Sequence, residues 1–148
     1  KLLLEFDLPI NVVLITGNGK QVDFKKDNFK QFAYLNEQFP NVLAEADIVV
    51  SRAGANALFE LAALSKAAII LPLLTAANDH QRSNAQVFAE DEAVKVLDPT
   101  LTNEVLAANL VAIIKYWLEN PADKLKYERN IKKFDKLEVV PLIVKNLL

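Results

Sequence analysis

Residues 46–60 of this chain, Ala46-Asp47-Ile48-Val49-Val50-Ser51-Arg52-Ala53-Gly54-Ala55-Asn56-Ala57-Leu58-Phe59-Glu60, run a short β-branched stretch into a small-residue turn and then into a helical pattern carrying one acid. Ile48, Val49 and Val50 suit a strand buried on both faces, as strands of parallel sheets are. Gly54 lets the backbone turn closely. The helix beyond it directs its free N–H groups and the positive end of its dipole back toward the turn. A strand, a tight turn and a helix start in that order make a seat for a phosphate or a nucleotide.

The same alternation extends along the chain. Apolar strand-like runs at 11–16, 32–35, 48–51, 68–73 and 93–97 alternate with helical patterns at 37–46, 56–65 and 79–90. Alternation of this kind predicts an α/β fold, a Rossmann-like parallel sheet flanked by helices. Two further helices follow. Thr102 is the expected N-cap of one that runs through Trp117, and Asn120 with Pro121 at the first helical position opens the other. Leu106, Leu110, Ile113, Ile114 and Trp117 fall on one stripe and are read as core. Residues 139–148 are interrupted by Pro141 and then read as helical.

With 148 residues, 52% of them hydrophobic, 24% charged and a net charge of -2, the chain suits one domain with a substantial core. We therefore read residues 1–148 as a single domain, with no repeat and no long linker. The chain has no Cys, which removes disulfides and thiolate metal sites, and no apolar run approaches the roughly 20 residues needed to span a bilayer. These features fit a cytoplasmic protein. Mild acidity and the lack of a Lys/Arg cluster argue against nucleic acid as a partner, and the lysines from Lys124 to Lys136 read as a solvated helix face. The chain contains no Met and opens Lys1-Leu2-Leu3-Leu4, like the end of a helix whose partners lie elsewhere. It reads as an excised, truncated domain.

Open parallel sheets bind ligands beyond the carboxyl ends of their strands, which directs attention to the loops at 16–20, 35–37, 51–56 and 73–81. Glu60, about one and a half turns into its helix, either accepts hydrogen bonds from a vicinal diol such as a ribose or merely complements the helix dipole. Arg52 directly follows a buried strand, where a fixed cation pairs with phosphate or pins neighbouring loops. Gly54 and Ala55 keep the turn small enough for close approach. Asn56 caps the helix or offers its amide. The segment Pro72-Leu73-Leu74-Thr75-Ala76-Ala77-Asn78-Asp79-His80-Gln81-Arg82-Ser83-Asn84-Ala85 gathers polar groups at a strand-to-helix join and suits a sugar. Asp79 is expected to cap that helix, and Asn84 to brace the loop rather than touch a ligand. His80 is the sole histidine; without Cys or a second His, a zinc site is excluded. Thr16-Gly17-Asn18-Gly19-Lys20 reads as a turn or as a ligand-facing loop.

Taken together, these residues resemble the donor-binding C-terminal domain of MurG-type glycosyltransferases (glycosyltransferase family 28, GT-B fold). The resemblance rests on the pattern A-D-[LIV]-V-[IV]-x-R-[AS]-G-A followed by a helical Glu, and on a D-H-Q-x-x-N-A segment. It covers about residues 32–97 well, and residues 12–20 and the C-terminal helices only loosely. It implies that UDP-N-acetylglucosamine is the donor, that Glu60 holds its ribose, and that His80 and Gln81 meet the N-acetylglucosamine hydroxyls. It also implies that Leu35 and Asn36 hold the uracil through backbone groups, and that Arg52, Gly54, Ala55, Asn56, Thr16 and Gly17 line the donor site. The implied reaction is inverting transfer to a lipid-linked acceptor, undecaprenyl-pyrophosphoryl-N-acetylmuramoyl-pentapeptide, in peptidoglycan synthesis. It needs no metal or cofactor, in keeping with the absence of an Asp-x-Asp pair.

The catalytic base is not identified within this chain. Acceptor and membrane contacts are expected through an N-terminal domain outside it, which would make the full-length protein peripheral on the inner face of the cell membrane and leave the isolated fragment inactive. The chain departs from the family pattern in three places. Ser65-Lys66-Ala67 stands where G-x-P or K-x-P is usual, Ala57 stands where Thr or Ser is frequent, and the glycine-rich phosphate loop is absent. Two alternatives remain open at this point. One is a noncatalytic UDP-N-acetylglucosamine-binding subunit that needs a membrane partner; the other is a UDP-N-acetylglucosamine 2-epimerase-like enzyme, whose family shows a D-S-G-G loop where this chain has Ser51-Arg52-Ala53-Gly54.

Overall fold

The computed structural model describes residues 8–73 and 79–135, with the side chain of Asp79 outside the description. The chain divides into two units, Lys1–Glu45 and Ala46–Leu148.

In the first unit, β1 (Val12–Ile15) pairs in parallel with β2 (Phe29–Phe32), Val12 opposite Phe29 and Ile15 opposite Phe32. The expected strand at 32–35 is thus displaced toward the N-terminus, onto the sequence Phe-Lys-Gln-Phe. Its polar positions find partners that a local reading does not supply. The Gln31 amide accepts from the Val22 N–H at 2.9 Å and donates to the Val22 carbonyl at 2.8 Å. Asn28 opens the ladder, its carbonyl accepting from the Val12 N–H and its side chain donating to the Ile10 carbonyl, both at 2.8 Å. Phe29 is buried and meets Phe24 edge-on at 5.3 Å. After β2 the chain reaches buried Leu35 and takes a left-handed step at Asn36 (φ 38°), a conformation Asn tolerates better than most residues. A 3-10 turn (Asn36–Gln38) leads into α1 (Phe39–Glu45), so the helix expected from residue 37 tightens in its first turn.

The second unit is a three-stranded parallel sheet in the order β3 (Val49–Ser51), β4 (Ala68–Ile70), β5 (Lys95–Val96). The connections run through α2 (Ala55–Ala63) and α3 (Asp79–Glu90). β4 lies centrally, and Ala68, Ile69 and Ile70 have no exposed surface, as a doubly covered strand requires. β4 and β5 are shorter than the apolar runs that announced them. Beyond their ends the ladder continues by single hydrogen bonds, from the Leu71 N–H to the Ser51 carbonyl and from the Leu97 N–H to the Ile70 carbonyl, both 2.9 Å.

Both crossover helices end the same way. At the close of α2, the Lys66 N–H reaches the Leu61 carbonyl and the Ser65 N–H the Ala62 carbonyl, with Ser65 left-handed at φ 52°. At the close of α3, the Ala93 N–H reaches Phe88 and the Glu92 N–H reaches Ala89, with Glu92 at φ 51°. This Schellman pattern, usually carried by glycine, makes the turn at Ser65-Lys66-Ala67 without the family's proline.

Two helices complete the unit, α4 (Asn103–Glu119) and α5 (Pro121–Lys132). Thr102 caps α4, its hydroxyl accepting from the Val105 N–H at 3.5 Å. Asn120 is the N-cap residue of α5, with Pro121 following as expected; its side chain, however, donates back to the Tyr116 carbonyl at 2.9 Å. Ile114 and Trp117 of the expected stripe are buried, joined by Val111, while Leu106, Leu110 and Ile113 are half-buried. Trp117 packs on Tyr127 at 5.2 Å, and Lys95 lies over the Tyr127 ring at 5.0 Å. Among the described residues no helix is long and apolar enough to cross a membrane. The tail expected to be helical, 139–148, lies outside the described residues.

Candidate functional site

The turn between β3 and α2 is built so that its carbonyls are all taken. The Ser51 carbonyl accepts from the Leu71 N–H at 2.9 Å, and the Arg52 carbonyl from the Ser51 hydroxyl at 3.2 Å. The Ala53 carbonyl accepts from Asn84 Nδ2 at 3.2 Å, and the Gly54 carbonyl from the Leu58 N–H at 3.0 Å. The N–H groups behave oppositely. Gly54 is the N-cap of α2 in extended conformation, with no side-chain cap, so among the described residues the first N–H groups of the helix, Gly54 to Ala57, keep no acceptor. A segment with bound carbonyls and open N–H groups at the positive end of a helix is a donor surface for an anion.

Two side chains hold this turn against the backbone after β4 and against α3, and a third ties α3 to that same backbone. Arg52 Nη1 donates to the Leu71 carbonyl at 3.1 Å. The Gln81 side-chain oxygen accepts from the Leu73 N–H at 3.2 Å. Asn84, from the second turn of α3, reaches Ala53, whose residue surface is fully buried. The bracing expected of Asn84 is thus present, and Arg52 takes the loop-pinning geometry that was weighed against phosphate pairing.

The cap expected of Asn56 does not form. The helix starts at Ala55 and Gly54 occupies the cap position, leaving Asn56 exposed in the first turn with no capping bond. Gly54 itself has φ -65° and ψ 135°, which any residue adopts, so the turn does not demand glycine for its backbone. Nor does packing demand it: a Cβ built there meets nothing within 4 Å, so the position faces open space. Glu60 is exposed about one and a half turns into α2 and makes no side-chain bond to another described residue. His80 is exposed in the first turn of α3, beside Gln81. The capping role expected of Asp79 rests on a side chain outside the described residues, and the loop residues 74–78 lie outside them as well.

The remaining expected site residues belong to the first unit. Thr16 turns its hydroxyl onto backbone, 2.9 Å from the Gly17 carbonyl and 3.3 Å from that of Phe32, and the Gly17 N–H donates to the Ala33 carbonyl at 3.1 Å. Gly17 and Gly19 are left-handed (φ 79° and 69°), so this loop needs its glycines for their backbone freedom. Leu35 is buried and anchors the turn, while Asn36 is exposed. Within the second unit the structure therefore gathers Arg52, Gly54, Ala55, Asn56 and Asn84 around one turn, with Glu60, His80 and Gln81 on the helices that flank it. The backbone groups of Leu71 and Leu73, which anchor two of these side chains, were invisible to residue-type reasoning because their side chains take no part. Among the described residues no cluster of His, Cys, Asp or Glu is placed to hold a metal ion.

Residues 3–143 match the model of the glycosyltransferase family 28 C-terminal domain. The chain belongs to that family. Among curated relatives, it is 40% identical over 98% of its length to the UDP-N-acetylglucosamine--N-acetylmuramyl-(pentapeptide) pyrophosphoryl-undecaprenol N-acetylglucosamine transferase of Geobacillus thermodenitrificans. It is 42% identical over 89% of its length to the transferase of the same name from Geobacillus kaustophilus. The chain spans only 40% and 35% of those two relatives.

Among solved structures, Acinetobacter baumannii MurG superposes with a TM-score of 0.73 at 23% identity, over 97% of this chain and 43% of that one. The glycosyltransferase VinC, solved in complex with dTDP, superposes at 0.69 with 21% identity, over 94% of this chain and 34% of its own. At those identities the likeness speaks for the fold alone. The fold of this family 28 domain is the Rossmann-like C-terminal half of a GT-B glycosyltransferase, the class its alternating pattern predicts.

Proposed function

We propose that residues 1–148 act as a single UDP-sugar-binding domain. In this reading the domain holds UDP-N-acetylglucosamine while N-acetylglucosamine is transferred to undecaprenyl-pyrophosphoryl-N-acetylmuramoyl-pentapeptide, converting lipid I to lipid II. The observation that carries this reading is the turn at 52–57, whose carbonyls are engaged while the N–H groups of Gly54 to Ala57 stay open at the start of α2. The names of the curated relatives support the choice of donor and acceptor.

In the proposed site the open N–H groups receive the donor's diphosphate, whose charge grows as the glycosidic bond breaks. Gly54 and Ala55 let that group approach the backbone, and Arg52 stands at the turn that presents those N–H groups. Glu60 accepts hydrogen bonds from the ribose hydroxyls. His80 and the Gln81 amide meet the sugar. In the first unit, taken by itself, Leu35, Asn36, Thr16 and Gly17 are the residues we assign to donor binding. Substitution at the anomeric carbon inverts its configuration. No residue of this chain is assigned as the general base. We place the acceptor and membrane contacts in parts of the protein beyond these residues, on the inner face of the cell membrane.

The test is an amide-resolved NMR titration with UDP-N-acetylglucosamine, UDP and GDP, repeated on Glu60→Ala. Shifts at Asn36, Gly54 to Glu60, His80 and Gln81 that prefer uridine and weaken in the variant are expected. A full-length protein that gives no shifts at those amides would overturn the reading.

A further inference from the structure

The two side-chain bonds that reach the turn share a property that a set of ligand contacts would lack: each ends on backbone. Arg52 sends Nη1 to the Leu71 carbonyl, just past β4. Asn84 sends Nδ2 from α3 to the Ala53 carbonyl, 31 residues away in sequence. Each of these two bonds ties the β3–α2 turn to a part of the unit outside it, the first to the backbone after β4 and the second to α3. Ala53 is fully buried, so its carbonyl has no water to turn to.

We infer that Arg52 and Asn84 are positioning residues. Acting through the Leu71 and Ala53 carbonyls, they lock the β3–α2 turn so that the N–H groups of Gly54 to Ala57 stay aimed at the donor's diphosphate, and neither needs to touch the donor to do so. The inference rests on the donor-site reading above and deepens it. Two bonds to one short turn make a joint device, because the turn moves if either is lost.

Hydrogen exchange of the ligand-free full-length protein reads the lock without any donor. Leu58 and Leu71 are the informative amides, because their N–H groups bind the Gly54 and Ser51 carbonyls of the turn. Leu97, bound to Ile70 elsewhere in the sheet, reports global opening. Asn84→Asp keeps the size of the side chain and turns the donating amide into an acceptor facing a carbonyl; Arg52→Met removes the donor, and Arg52→Lys restores one.

In Asn84→Asp and Arg52→Met, exchange at Leu58 and Leu71 is expected to rise about tenfold with Leu97 unchanged, and Arg52→Lys should return toward wild type. Calorimetry with UDP-N-acetylglucosamine then supplies a double-mutant cycle. Joint positioning predicts that the double variant loses little more affinity than either single one, whereas independent donor contacts multiply their losses. Unchanged exchange at Leu58 and Leu71, or multiplied losses, would overturn the inference. A wild-type protein that binds no UDP-N-acetylglucosamine would instead sink the donor-site reading itself.

Discussion

Asn84 Nδ2 lies 3.2 Å from the carbonyl oxygen of Ala53, so α3 is fastened to the turn that opens α2 by a side chain on one part and backbone on the other. Ala53 is fully buried and has no side chain beyond its methyl group, which lets α3 come close enough for this bond. An unpaired carbonyl at such a position costs about 1–3 kcal/mol. The contact therefore serves the fold, and it explains why a polar residue in a helix otherwise packed by Ala85 and Phe88 is half-buried.

Glu60 separates binding from stability. It is exposed and its side chain bonds to no other described residue, so Glu60→Gln should change the unfolding free energy by no more than about 0.5 kcal/mol. If it accepts ribose hydroxyls, losing the charge should weaken UDP-N-acetylglucosamine about tenfold or more. Calorimetry beside a denaturant melt measures both, and an unchanged affinity removes Glu60 from the site.

Gly54 and Gly17 are glycines for different reasons. Nothing lies within 4 Å of a Cβ at Gly54 and its φ is -65°, so Gly54→Ala should leave stability within about 0.5 kcal/mol while weakening donor binding. Gly17 sits at φ 79°, where Gly17→Ala should cost about 1 kcal/mol through backbone strain alone. Paired chemical melts and calorimetric titrations check the contrast, and a Gly54→Ala protein that binds donor normally argues against close approach there.

Ser65 holds the left-handed position at the end of α2, with φ 52° and the hydrogen bonds of a Schellman motif around it. Ser65→Gly should stabilise the protein by about 0.5–1 kcal/mol by relieving the Cβ conflict at that backbone angle. The readout is the midpoint of denaturant unfolding. A midpoint that falls would mean the flexibility that glycine adds to the unfolded chain outweighs the relief.

Acid should loosen the second unit through specific carboxylates. The Thr100 backbone N–H and hydroxyl, at 2.9 and 2.7 Å, hold the Asp98 carboxyl below its usual range. The backbone N–H of Glu104 and the Thr102 hydroxyl do the same for Glu104, and the Lys126 ammonium, at 2.6 Å, for Glu92. For each, the folded value lies below the unfolded one, so the contribution is complete above the unfolded carboxylate range and is lost as pH falls through the folded value. Lys126 runs the other way. Its raised value gives a contribution present below the unfolded lysine range and lost as pH rises through the folded one. A carboxyl NMR titration of wild type and Thr100→Val provides the check: the Asp98 midpoint should move up in the variant, and an unmoved midpoint would mean that the hydroxyl plays no part.

The strands and helices of the second unit were legible because their determinants are local. The β-branched run at 48–50 and the apolar run from Ala68 mark strands, and Thr102 caps its helix through a bond to a residue only three positions away. Ala68 to Ile70 are fully buried, but β3, expected to be covered on both faces, leaves Val50 46% exposed, because it is an end strand of its three-stranded sheet. β2 was not legible as a strand. Lys30 and Gln31 break the apolar pattern, and Gln31 becomes acceptable in a ladder only through its two bonds to Val22, nine residues away. Likewise the residue types at 52–56 marked the turn as a candidate site, whereas the displacement of the helix start to Ala55 passed the cap from Asn56 to Gly54.

Sequence by itself determined that this chain alternates strand and helix, and that its small, polar and acidic residues gather in the loops at strand ends, because periodicity and turn chemistry are carried by neighbours. Tertiary structure alone decided that Arg52 reaches the Leu71 carbonyl, that Gln81 accepts from the Leu73 N–H and that Asn84 closes on Ala53. In each of these the partner is a backbone group, which every residue carries alike, so no residue identity announces it and only the packing of one element against another selects which group is in reach.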